Sequence, residues 1–183
     1  MIFLPNKYER YAAALRNYIQ NSISKKGLSD EKRLKFRKIY EFEAVFLNCE
    51  CVPCDIKLLS SKLLFCAYLN LSEKGSTFDF SIEINGNYII NAKLYSVLLL
   101  NLSLISSEIN IFNFNGKLAI KSRLNGKINS IFIKALNGNF YYELKTKTLL
   151  IIIEAARTQK KSAEIKREWD IFDPFSPINL YLF

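Results

Sequence analysis

The sequence predicts an α+β protein: an N-terminal helical hairpin followed by a two-layer α/β sandwich, a mixed sheet with helices on one face. Three observations predict it. Apolar residues recur at three-to-four spacing through residues 6–24 and again after residue 29, the period of a helix with one buried face. Alternation of apolar and polar residues marks 78–84 and, with Leu118 and Ile120 against Lys117 and Lys121, 117–123, the period of a half-buried strand. Half of the 183 residues are apolar, including 14 Phe and 10 Tyr, which is enough to build a sizeable core in one domain with a helical arm.

Residues 6–24 read as the first helix, with Tyr8, Tyr11, Ala12, Leu15, Tyr18, Ile19 and Ile23 on one side. Gly27 stops it. Ser29 starts a second helix, whose first turn carries Asp30 and Glu31 where the helix dipole favours acids. Leu34, Ile39, Phe42, Val45 and Phe46 form its apolar side. Pro53 breaks the chain, which gives two expected units: residues 1–52, a helical hairpin and candidate dimerisation element, and residues 53–183, the sandwich.

Asp55 caps a third helix over 56–73, apolar almost all round and so expected to be buried, and Gly75 ends it. A strand follows, with Phe78, Phe80, Ile82 and Ile84 against Asp79, Ser81 and Glu83. Asn85-Gly86 is a turn signal, Tyr88–Ile90 a short extended piece, and 92–108 a fourth helix. Lys117–Arg123 is a strand, Asn125-Gly126 a hairpin signal and Ile128–Ala135 its return. Asn137-Gly138 is a second signal, with Phe140–Leu144 after it. Thr146–Lys160 reads as a helix capped by Thr146 or Thr148. Ala163–Trp169 and Ile178–Phe183 read as two closing strands joined through Pro174 and Pro177.

Composition narrows the chemistry. There is no histidine, which excludes within this chain every Ser-His-Asp or Cys-His mechanism, every His-ligated metal and a phosphohistidine relay. Acid–base chemistry would fall to Asp, Glu, Lys, Tyr or Cys. The net charge is +9, but Lys and Arg are scattered, and Lys25–Lys26, Lys32–Lys38 and Lys160–Lys161 are short groups of a solvated surface. Tyr8, Tyr11 and Tyr18 with Arg10 and Arg16 could stack on nucleic acid, although aromatics at helical spacing more often form a helix interface. No apolar run reaches the ~20 residues of a membrane span, and Pro5, Asn6 and Lys7 end the apolar start, so a cytoplasmic protein is expected.

Cys49, Cys51, Cys54 and Cys66 could supply four thiolates to zinc, but the paired C-x-x-C spacing is missing and Cys66 sits in an apolar helix. The expectation is no metal and no cofactor. Glu41 with Glu43, and Asp170 with Asp173, are carboxylate pairs close only in sequence. They read as solvated faces or caps.

The order helix, strand, helix, hairpin, helix, hairpin over residues 55–183 resembles the ATP-binding domain of sensor histidine kinases and other GHKL ATPases. Asp55–Gly75 with Phe78–Ile84 is similar to that family's first helix, turn and strand. Asn101-Leu102 falls at its Asn-Leu pair, Leu136-Asn137-Gly138-Asn139-Phe140 at its Asp-x-Gly-x-Gly box, and Thr148–Gln159 at its glycine-rich helix. The resemblance makes Asn101, Ile105, Leu136, Gly138 and Phe140 degenerate equivalents of the nucleotide site. Leu136 stands where an aspartate would accept the adenine amino hydrogen bond. Ile105 stands where a second asparagine would bind magnesium, and it offers no oxygen to a hard cation. Phe140 replaces a glycine needed for close approach of the nucleotide. The resemblance therefore implies a kinase-like protein without ATP and without a catalytic residue. It would be a homodimer that regulates or scaffolds a protein partner, by class a response regulator or a kinase. Two alternatives remain: a nucleotide-binding regulatory kinase or ATPase with divergent motifs, and a basic nucleic-acid-binding module.

Overall fold

The computed structural model describes residues 29–46, 50–163 and 177–182. The expected first helix over 6–24 lies outside them. The second is present as α1 (Asp30–Phe46), with its two acids in the first turn. β1 (Val52–Asp55) precedes α2 (Ile56–Glu73). Asp55 is the cap, accepting from the Leu58 amide at 2.9 Å. Gly75, at φ +76, lets the chain leave the helix, and the Ser76 amide donates to the Leu71 carbonyl.

β2 (Asp79–Glu83) and β3 (Asn87–Ile90) flank the Asn85-Gly86 turn but enter different sheets. α3 (Ala92–Ile105) ends three residues earlier than the expected 108, because Ser106 is already extended and opens β4 (Ser106–Phe114). β4 and β5 (Lys117–Leu124) form a hairpin through Asn115-Gly116, at φ 52 and 84, the two left-handed residues that a tight turn between twisted strands requires.

Three expected elements are corrected. Ile128–Ala135 is not a return strand: Ile131–Ala135 is the short helix α4, and Asn125-Gly126 is a bend leading to it. Thr146–Lys160 is not a helix: β6 (Gly138–Glu143) turns through 144–147 into β7 (Thr148–Ile153), followed by β8 (Ala156–Thr158). The run Leu149–Ile153 has three Ile, which suit a pleated surface better than a helix. Ile178–Phe183 is not a strand, since Pro177–Leu182 is a helix, α5, and proline suits a first helical turn. Of the expected strand Ala163–Trp169, only Ala163 is described, and its amide donates to the Pro53 carbonyl.

The main sheet runs β2-β4-β5-β7-β6, with β2 parallel to β4 and the other pairs antiparallel. A second sheet, β1-β3-β8, is antiparallel throughout. Ile109, Ile111, Ile120 and Ile151 are fully buried on one face of the main sheet, and α2, α3 and α4 pack on that side. The architecture is thus α+β, a mixed sheet with its helices on one face. α1 lies on α3 and α5. It does so through Tyr40, Glu43 and Ala44, leaving Leu34, Phe42 and Phe46 exposed.

Candidate functional site

Asn101 sits on the third turn of α3 with its side chain fully engaged. Its Nδ2 donates to the Val97 carbonyl at 2.9 Å and to the Tyr181 hydroxyl at 3.3 Å. Its Oδ1 accepts from Arg37 Nη2 at 2.8 Å. Arg37 also donates from Nε to Glu41 at 3.1 Å, and its guanidinium lies 4.1 Å from the centre of the Tyr181 ring. Tyr181 closes the circuit by donating to the same Glu41 oxygen at 2.6 Å. The network joins α1, α3 and α5, three elements with no local sequence link.

Its electrostatics favour the arrangement drawn. Burial pushes the Tyr181 hydroxyl well above its ordinary pKa, and the Glu41 carboxylate pushes it the same way, so the phenol stays a donor. The positive charge of Arg37 opposes this without prevailing. A second charged contact lies beside it: Lys93 donates to the buried Glu43 at 2.7 Å and stands 4.3 Å from the centre of the Tyr40 ring. Glu41 and Glu43 therefore face different cations and do not form a carboxylate pair. Asp170 and Asp173 lie outside the described residues, as do Tyr8, Tyr11, Tyr18, Arg10 and Arg16.

Of the other four positions, Ile105 lies one turn beyond Asn101 on α3, and Leu136, Gly138 and Phe140 lie at the end of α4 and on β6. Ile105 ends α3, where its carbonyl accepts from the Asn125 amide at 2.6 Å. A Cβ placed on Gly126 would come within 3.2 Å of the Ile105 side chain, so this glycine allows the bend to close on the helix. Asn125-Gly126 thus meets the end of α3, a role its reading as a hairpin turn concealed. Leu136 is buried at the end of α4. Gly138 opens β6, and a Cβ there would stand 2.9 Å from Ile133, which is why that strand can start so tightly against α4. Phe140 lies on β6 opposite Ile151 and is 41% exposed.

The thiols do not converge. Cys51 is exposed and Cys54 fully buried, while Cys66 is half-buried on α2. Burial raises the Cys66 pKa, and Lys62 only partly offsets it, so this thiol is a poor nucleophile. Cys49 lies outside the described residues, and among those described no three His, Cys, Asp or Glu side chains are grouped to hold a metal. Among them, too, no helix is long and apolar enough to cross a membrane.

No family model matches the chain, and no curated protein matches it. Its structure is similar to that of the Acinetobacter baumannii histidine kinase AdeS, with a TM-score of 0.46 and 13% identity over 86% of this chain and 88% of that one. It is also similar to full-length ShkA in complex with AMPPNP, with a TM-score of 0.49 and 12% identity over 91% of this chain and 42% of ShkA. The chain thus spans less than half the length of ShkA.

Proposed function

We propose that this chain is a non-catalytic, kinase-like regulatory or scaffold protein that acts through protein contacts and does not bind ATP. The observation that carries the reading is the surroundings of Asn101. The resemblance puts the magnesium ligand at Ile105, which has no side-chain oxygen, and Asn101, one turn before it, already gives its own oxygen to a guanidinium at 2.8 Å and so does not replace it. Bringing a divalent cation there sets two positive sources against each other and strips Arg37 of a partner. Ile105, Leu136 and Phe140 add no polar atom that could compensate.

The helical region supplies the contact surface in this reading. α1 uses one side on its own domain and leaves Leu34, Phe42 and Phe46 outward, a stripe suited to a two-fold four-helix bundle with the 6–24 segment. Phe42 and Phe46 already stack at 4.9 Å between ring centres. Residues 1–52 are then the dimerising unit and 53–183 the unit that presents a surface to a response regulator or kinase.

The test is calorimetry and thermal unfolding of the full chain with ATP or ADP and magnesium. At millimolar nucleotide no heat and no shift in melting temperature are expected, because only a ligand held by the folded state raises it. Micromolar binding overturns the reading. Light scattering of the Phe42→Lys variant checks the second part: the parent is expected to be a dimer and the variant a monomer.

A further inference from the structure

β6 is an edge strand of the main sheet that neither a proline nor a bulge interrupts, and its one charged residue is Glu143 at its last position. Such strands are commonly shielded by proline, by a bulge or by charge, since their outward backbone groups are a template for another strand. At the opposite edge, β2 carries Asp79 and Glu83 at its two ends. At the edge of the smaller sheet, β1 contains Pro53, whose carbonyl already accepts from Ala163. β6 has no proline, and it pairs with β7 in unbroken register from Gly138↔Ile153 to Glu143↔Thr148. Its three central residues are exposed aromatics: Phe140 at 41%, Tyr141 at 63% and Tyr142 at 46%. Leu144, just beyond, is 80% exposed. On the helix-free face a recess of about 480 Å³ lies beside the strand, with Phe112, Phe114, Tyr141 and Leu150 among its walls.

From these features we infer that β6 docks an extended, acidic and apolar segment of a partner protein as a sixth strand of the sheet. Backbone pairing supplies the contact, and the aromatics and the recess receive alternate side chains. The chemistry of the segment follows from the charge around the edge. Lys121, Arg123, Lys134, Lys145 and Lys147 are all exposed on or beside β5, α4 and the β6–β7 turn. The nearest acid, Glu143, accepts from Thr146. A segment bearing Asp or Glu complements this fringe. A second copy does not, because antiparallel self-pairing sets Lys145 and Lys147 of each chain beside Lys134 of the other. The inference rests on the reading of this chain as a protein that works through protein contacts.

The test is selection of displayed random twelve-residue peptides on the immobilised full chain, followed by synthesis of the enriched sequences. Alternating apolar and acidic residues are expected. Two series of peptides, N-methylated at either set of alternate amides, should separate: one set loses binding by about tenfold or more, and the other is nearly unaffected, because a docked strand uses every second amide. Peptide should slow amide exchange along β6. The double variant Lys134→Glu, Lys145→Glu, at two exposed sites, should weaken acidic peptides by about tenfold. The inference is overturned by any of five results: no enrichment, enrichment of basic peptides, an equal response to both methylation patterns, protection away from β6, or a dimer of the free chain that already protects β6. Nucleotide binding would defeat the proposed function while leaving these outcomes readable, and peptide failure without nucleotide binding would defeat only the docked strand.

Discussion

α2 and α3 begin alike. Asp55 and Asn91 are both extended, at φ/ψ of −72/97 and −71/96, and each accepts a hydrogen bond at 2.9 Å from the amide three residues on. Both helices are apolar around most of their circumference. Their surroundings differ. α3 lies among α1, α2, α4, α5 and the main sheet, and Leu94 to Leu100 are buried without a break. α2 buries Leu59, Leu63, Leu64 and Ala67 but turns Leu58, Phe65 and Leu69 outward, contrary to the expectation of a helix buried all round. Caps and hydropathy establish that a helix exists. Its place in the layers decides how much of it the protein covers, and a peripheral helix with a central helix's composition keeps an apolar side in water.

The contrast can be broken most forcefully at Leu98, which has no exposed surface. Leu98→Ala should cost roughly 3–5 kcal/mol in denaturant unfolding, the transfer of its side chain plus the cavity left behind. The caps come next: Asp55→Ala and Asn91→Ala should each cost about 1 kcal/mol, equal within error if the two starts are equivalent. The seam between the helices follows, where the Ser60 and Tyr95 hydroxyls meet at 2.9 Å inside the core. Tyr95→Phe should cost about 1 kcal/mol and leave Ser60 without its partner. Burial pushes the Tyr95 pKa far up. Its contribution is therefore complete below the unfolded value and fades as pH rises past about 10, so the gap between parent and variant should narrow between roughly pH 9 and pH 11. Smallest of all, Phe65→Ala on the outer side of α2 should change stability by no more than about 0.5 kcal/mol. A loss like that of Leu98→Ala would mean that something covers this side in solution.

Much of the fold is legible in the sequence where a local residue carries the signal. Asp55, Gly75 and the alternation of Phe78–Ile84 each act within a few positions, and the cap, the helix exit and the strand stand where these residues point. Four Asn-Gly pairs look alike, yet Asn115-Gly116 alone makes a two-residue turn between paired neighbouring strands. A helix read over 92–108 leaves 109–116 with no element, so this turn has no first strand to join, whereas β4 spans Ser106–Phe114. Asn125-Gly126 instead serves the bend at Ile105, which depends on a helix placed earlier in the chain. For β7, the five-residue apolar run Leu149–Ile153 fits either period, and its three β-branched residues decide for the strand. The candidate site was partly legible. Asn101 could be singled out by resemblance, but its partners Arg37 and Tyr181 are 64 and 80 residues away, and no spacing announces them.

Those separations bear on the order of events in folding. The Tyr181–Glu41 bond closes a loop of 140 residues, and the Arg37–Asn101 bond one of 64. Closing such loops costs entropy before any contact returns it, whereas β4–β5 and β6–β7 meet across short turns. The circuit around Asn101 should therefore form after the rate-limiting step, as a latch on a body already assembled. Tyr181→Phe should then leave the refolding rate almost unchanged and speed unfolding, so that the polar circuit governs how long the native state lasts and not how quickly it is reached.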